Sequence, residues 1–223
     1  MSSFIVAIDG PAASGKSTVS RQAAAALGGV HVDSGSLYRG LTWKCLRTGA
    51  DCGAEEAVVR TMLALRLDFF LDAGSAHFTF DGEDPGAQIR SETVGEQVSA
   101  VAAMPRVRAW IVEYLRSLTR CGSLVMEGRD IGTVVFPDTP FKFYLDATPE
   151  ERARRRLTDQ AAGTGAAGFN QVKTSLLRRD ARDSGRATAP LARAPDARLI
   201  DTTGMSLAAV VAEIVKAVRA GGA

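Results

Sequence analysis

A chain of 223 residues suits one α/β domain with a full core and room for insertions, and two equal domains are disfavoured at this length. A net charge of +2 and an aromatic content of 6% argue against a bulk nucleic-acid or membrane surface, so small-molecule partners are expected. Cys45, Cys52 and Cys121 have neither Cys-x-x-Cys spacing nor a nearby histidine, and read as small apolar residues in a reducing compartment. Met1 to Phe4 leads straight into a strand with no charged-then-apolar leader, and no apolar run nears membrane-spanning length, so a cytoplasmic protein is expected. Arginine outnumbers lysine 22 to 5, and an arginine therefore counts only where a motif surrounds it.

Phe4 to Ile8 is a strand-like apolar run. Gly10-Pro11-Ala12-Ala13-Ser14-Gly15-Lys16-Ser17 follows it and fits G-x-x-x-x-G-K-[ST] without a gap, opening a helix from Ser17 to Leu27. In such a loop successive N–H groups turn inward to a polyphosphate, the lysine reaches the terminal phosphates and the serine hydroxyl ligates magnesium. Gly10 through Thr18 are accordingly the candidate ATP-binding residues, and Ser17 the candidate magnesium ligand. Val30 to Val32 reads as a second strand and Ser36 to Arg47 as a helix closed by Gly49. Asp33 and Ser34 between them read either as its cap or as site residues. Leu67 to Phe80 alternates around Asp72-Ala73-Gly74-Ser75, which predicts a small antiparallel hairpin inserted in the α/β core.

Pro105 to Arg120 is a helix with a first-turn proline, and Leu124 to Met126 and Phe141 to Leu145 are further strands. Thr148-Pro149-Glu150-Glu151 is a capping box opening a helix to about Gln160. Arg152, Arg154, Arg155 and Arg156 on that stretch read either as a phosphate-gripping cluster or as a salt-bridged solvated face. Gly163-Thr164-Gly165-Ala166-Ala167-Gly168 matches G-x-G-x-x-G but follows a helix, so it reads as the tip of a lid and not as a dinucleotide fingerprint. Arg198 to Ile200 is a fifth strand, and Ser206 caps a last helix with an apolar stripe. His31, His77, Trp43 and Trp110 read as structural. The alternation predicts a three-layer α/β fold: a five-stranded parallel sheet with helices on both faces, a small antiparallel insert and a lid.

Four further strings share an order and spacing: Val32-Asp33-Ser34-Gly35-Ser36-Leu37-Tyr38-Arg39; Val98-Ser99-Ala100-Val101-Ala102 with Pro105-Arg106-Val107-Arg108; Glu127-Gly128-Arg129-Asp130-Ile131-Gly132-Thr133-Val134-Val135-Phe136-Pro137; and Arg179-Asp180 through Asp183, Arg186 and Ala189-Pro190-Leu191. With the phosphate loop they resemble the bacterial cytidylate kinase family, from Ile5 to about Val218. The resemblance implies the P-loop kinase fold as a single domain over 1–223, with a monophosphate-binding insert at 66–104 and a lid at 155–186. It also implies a pyrimidine nucleoside monophosphate kinase that moves the γ-phosphoryl group of ATP, with magnesium, onto CMP or dCMP; a monomer is expected. By the family's pattern Arg39, Arg129 and Arg186 hold the acceptor phosphate, Ser34 lies beside it, Ser99, Arg108 and Asp130 face cytosine, and Arg179 and Asp183 reach the ribose. Lys16, Arg129, Arg179 and Arg186 are the expected catalytic set, Arg155 and Arg156 join the ATP site, and Glu127 would hold magnesium through water where many relatives have Asp.

The chemistry agrees with that set. Cytosine offers an amine beside N3 and O2 acceptors, so a carboxylate with an arginine and a hydroxyl is complementary, and uracil reverses two positions. The rivals are a P-loop kinase for another acceptor and a nucleotide switch; the Asn-Lys-x-Asp guanine signature is absent, the sole asparagine being Asn170.

Overall fold

In the computed structural model, which describes residues 3–161 and 168–222, the chain runs β1 (Ile5–Asp9), α1 (Lys16–Leu27), β2 (Val30–Asp33), α2 (Ser34–Arg47) and α3 (Glu55–Ala64). It continues β3 (Leu67–Asp72), β4 (Ser75–Phe80), α4 (Glu92–Val101), α5 (Pro105–Ser117), β5 (Leu124–Gly128) and β6 (Phe141–Asp146), and closes with α6 (Pro149–Ala161), α7 (Phe169–Ser184), β7 (Arg198–Asp201) and α8 (Leu207–Ala220). A short 3-10 turn, Gly86–Arg90, precedes α4, and a π turn, Ile131–Val135, follows β5. Half of the expected capping box is present: Thr148 Oγ1 accepts the Glu151 N–H at 3.3 Å, but the Thr148 N–H donates to Thr203 Oγ1 at 2.9 Å because Glu151 pairs with Arg154 and Arg155; Ser206 Oγ accepts the Ala209 N–H at 3.2 Å.

One sheet runs β3-β4-β2-β5-β1-β6-β7. The five strands from β2 to β7 in that order are parallel, as expected, but the sheet has seven strands and not five, because the hairpin is joined to it. β4 pairs parallel with β2 at His31 and Ser75, and the His31 N–H donates to the Gly74 carbonyl at 2.9 Å. The open edge of β2 would otherwise leave buried N–H and C=O groups unpaired, and the hairpin supplies them.

Alternation along the strands builds two cores. Val6, Ile8, Val125, Phe143 and Leu145 face α1 and α8, meeting Val19, Ile214 and Val218. Ala7, Val32, Leu124 and Met126 face the other way, against Leu37, Leu41, Val107 and Ile111. Phe78, Phe80 and Val98 of the inserted segment belong to that second cluster, each such side chain contributing roughly 1.5–3 kcal/mol by its burial. Gly40 of α2 makes this possible: a Cβ there would lie 1.8 Å from the Phe80 ring. A small third cluster, Ala12, Ala153, Val172 and Leu176, packs α6 and α7 against the phosphate loop. The predicted lid tip at 163–168 lies, apart from Gly168, outside the described residues. No described helix is long and apolar enough to cross a membrane.

Candidate active site

At the carboxyl ends of the parallel strands lies a cavity of about 640 Å³. It is where open α/β sheets take their ligands. The candidate residues from Ala12 to Thr18 line it, and so do Ser34, Arg39, Ser99, Arg108, Glu127, Arg129, Asp130, Arg155, Arg156, Arg179, Asp183 and Arg186; only Gly10 and Pro11 stand outside it. Residues from seven separate elements and their flanking loops thus meet in one place.

The loop is shaped by its backbone. Gly10 has φ +146, and a Cβ there would sit 2.0 Å from the Leu145 carbonyl oxygen. Ala13 carries φ 60, a left-handed conformation that costs an L-residue roughly 1–2 kcal/mol. Ala13→Gly is therefore expected to raise stability slightly, by about 0.5 kcal/mol after the added freedom of the unfolded chain is offset, in a thermal melt. A fall in Tm would show that the Ala13 methyl earns its place through packing.

Lys16 is folded back over the loop, its Nζ donating to the Pro11 carbonyl at 2.5 Å and to Ser14 Oγ at 3.2 Å. Burial and then the Arg129 guanidinium push its ammonium down to about 7, against the pull of Glu127 and Asp9. Bound phosphates would raise it again. ATP binding is therefore expected to take up close to one proton at about pH 8, and affinity is expected to fall as pH rises above 7. Calorimetry in buffers of different ionisation heat measures the uptake, and zero transfer would contradict it.

Beyond the loop, Asp183 is the hub of the arginines. It is 1% exposed, accepts from Arg129 Nε at 3.1 Å and Ser99 Oγ at 3.3 Å, pairs with Arg186, and has Arg179 Nε at 3.9 Å. Burial, then Arg129 and Arg39, push Arg179 down to about 9, and burial pushes Arg39 down to about 10. Both stay charged at neutral pH. The crowding of cations is what an anionic phosphate would relieve.

Arg108 and Asp130 form a second buried pair, with side chains 4% and 7% exposed. Arg108 also donates to the Ala102 carbonyl at 3.1 Å and lies over the Tyr38 ring, 5.5 Å from its centroid. Burial pushes the Asp130 carboxyl up, opposed by Arg108, Arg186 and Arg129. Sequence reasoning missed what holds Asp130: Asp9, at the end of β1, accepts the N–H groups of Ile131 and Gly132 at 2.8 Å each. Burial pushes that carboxyl up to about 6.

The arginines of α6 do not act as one group, and two of them hold the fold together. Arg152 is buried and ties the Ala147 and Ala12 carbonyls to Asp180 of α7, so α6, α7 and the phosphate loop form one unit. Arg154 is exposed on Glu151, the salt-bridged alternative. Arg155 reaches the Ser14 carbonyl at 3.3 Å, Thr202 Oγ1 at 2.9 Å and the Thr202 carbonyl at 2.7 Å, clamping the loop to the end of β7. Arg156 lines the cavity. The capping alternative for Asp33 and Ser34 is not realised: α2 starts at Ser34, two residues earlier than predicted, Asp33 makes no side-chain cap bond and pairs with Arg90 at 3.3 Å, and Ser34 Oγ donates to the Glu127 carbonyl at 2.7 Å.

Glu127 is buried at the floor of the cavity. Desolvation alone would raise its carboxyl, but His31, Lys16 and Ser17 outweigh it and hold the group below its ordinary value. An ionised carboxylate and the Ser17 hydroxyl form an oxygen donor set of the kind magnesium takes beside substrate phosphates. Among the described residues there is no cluster of three or more ligating side chains, so a cation here would rely on those phosphates. His31, read from the sequence as structural, has its Nε2 3.5 Å from Glu127 Oε1 and its Nδ1 3.2 Å from Ser75 Oγ.

A phosphate loop opening α1, a parallel sheet and an arginine-lined cavity facing the loop define a P-loop kinase. The cytidylate kinase family model matches residues 6–220. The chain is 43% identical over 217 residues to a cytidylate kinase of Pelotomaculum thermopropionicum, covering 97% of this chain and 96% of that one. It is 42% identical over 220 residues to those of Mycobacterium leprae and Streptomyces griseus, covering 98% of this chain and 97% and 94% of theirs. The chain belongs to the cytidylate kinase family.

Proposed function

We propose that this chain transfers the γ-phosphoryl group of ATP to CMP or dCMP, giving ADP and CDP or dCDP, as a cytoplasmic monomer acting on small substrates. The observation that carries the acceptor is the buried Arg108–Asp130 pair with Ser99 nearby, in one cavity with the phosphate loop and the arginines around Asp183. Asp130 accepts from the cytosine amine, and Arg108 and Ser99 donate to N3 and O2. Arg39, Arg129 and Arg186 hold the acceptor phosphate, while Arg179 and Asp183 serve the ribose side. The segment 66–104 forms the monophosphate-binding insert through α4, and 155–186 the lid through α6 and α7.

The acceptor phosphate already carries a nucleophilic oxygen at neutral pH, so no strong general base is needed. Catalysis is positioning and charge neutralisation. The loop amides and Lys16 take the charge of the transferring group, and Arg129, Arg179 and Arg186 align the acceptor. Ser17 would hold magnesium, with Glu127 reaching it through water; when bound, the ion neutralises charge on the β and γ phosphates. Incubating the protein with ATP, magnesium and CMP and following products by phosphorus NMR tests the reaction. CDP and ADP in equal amounts, lost when magnesium is removed, are expected; ATP hydrolysis with no CDP would overturn it.

A further inference from the structure

Parallel pairing of β2 and β5 sets His31 opposite Val125 and Asp33 opposite Glu127, so His31 and Glu127 lie on the same face of neighbouring strands. Both are buried, at 5% and 3% exposure. His31 Nε2 and Glu127 Oε1 are each without a hydrogen-bond partner among the described residues, and they face one another at 3.5 Å. A buried donor or acceptor left unpaired is costly, and a closer approach of about half an ångström would satisfy both. The other ring nitrogen is occupied: Nδ1 lies 3.2 Å from Ser75 Oγ, on the hairpin strand that completes the sheet beside β2. With the Ser75 hydroxyl donating to Nδ1, the proton of a neutral imidazole sits on Nε2, aimed at the carboxylate.

We propose that His31 is a positioning residue for Glu127: held by Ser75 in the Nε2–H form, it donates to Oε1, fixes the carboxylate rotamer and leaves the second oxygen for the magnesium shell beside Ser17. The proposal rests on the reading of Glu127 as the carboxylate that serves the cation. A glutamate has three side-chain torsions to fix, and a partner from the neighbouring strand fixes the last of them. Groups that orient a metal's carboxylate or imidazole ligands typically set affinity by 10- to 100-fold. The hairpin thereby acquires a role in the donor site, since its Ser75 selects the tautomer.

Two substitutions separate orientation from packing. His31→Gln places an amide nitrogen near the Nε2 position and keeps a donor for Glu127, whereas His31→Asn places one near Nδ1 and keeps only the Ser75 side. The readout is the gain in equilibrium ATP affinity on adding magnesium, measured by calorimetry on the whole protein. His31→Asn is expected to lose roughly tenfold of that gain, His31→Gln to lose little, and the KM for CMP to move in neither. Glu127→Gln is expected to lose at least as much, with His31→Asn adding nothing on top of it.

An unchanged magnesium gain in His31→Asn, with a loss in Glu127→Gln, makes His31 structural and overturns the proposal while the reading of Glu127 stands. No loss in Glu127→Gln overturns that reading and the proposal with it. Should the His31 variants not fold, nitrogen NMR of the wild-type ring decides: the Nε2–H tautomer is expected, and the Nδ1–H tautomer contradicts the proposal.

Discussion

Lys16→Ala is expected to fold normally and to lose on the order of a hundred- to a thousandfold or more in kcat. Among the described residues Lys16 hydrogen-bonds only within its own loop, to Pro11 and Ser14, and burial pushes its ammonium down against the pull of Glu127 and Asp9. Removing it takes away a desolvated cation and no hydrogen bond beyond the loop, so the thermal midpoint should change little. Turnover has no such reserve. The loop amides contribute fixed partial charges, and none can follow the γ-phosphoryl group as a flexible ammonium does. Rates measured beside a thermal melt separate the two effects, and near-wild-type turnover in a folded variant would remove the phosphate loop from the mechanism.

Asp130→Asn is expected to collapse the choice between CMP and UMP. Both asparagine and alanine remove the counter-charge of Arg108, whose side chain is 4% exposed, but alanine is the poorer probe because it also leaves that guanidinium no acceptor at this position and opens a void. Asparagine keeps the volume and presents an acceptor and a donor, so it can meet either the cytosine amine or the uracil carbonyl. A good paired contact is worth roughly 1–3 kcal/mol of discrimination, and the CMP to UMP ratio of kcat/KM should fall by about 10- to 100-fold with the KM for ATP nearly unchanged. An equal loss for both bases would make Asp130 an ion-pair partner that orients Arg108 and Arg129, and would move base recognition elsewhere.

What was legible in the sequence is what local chemistry encodes. The phosphate loop is a backbone code of glycines, lysine and serine in consecutive positions, and it folds as read. The Thr148 and Ser206 caps, and the five parallel strands, follow from the same short-range rules. The joining of the hairpin to β2 was not legible, because it rests on a backbone hydrogen bond from His31 to Gly74 that no side-chain pattern announces. Nor was the role of Arg152. Beside Glu151 it looks like a surface ion pair, and only the return of α7 brings Asp180 to it. Asp9 and His31 escaped for the same reason, since their partners at Ile131, Gly132 and Glu127 lie far along the chain and on another strand or turn. The motif strings located the cavity; long-range pairs determine how its groups are held.

The most direct test of the account is the kcat/KM of the wild-type protein for CMP, dCMP, UMP, AMP and GMP, with ATP and magnesium fixed. A site built from Ser99, Arg108 and Asp130 predicts that CMP and dCMP lead and that UMP trails by at least about tenfold, with the purine monophosphates lower still. UMP or AMP used as well as CMP would contradict it.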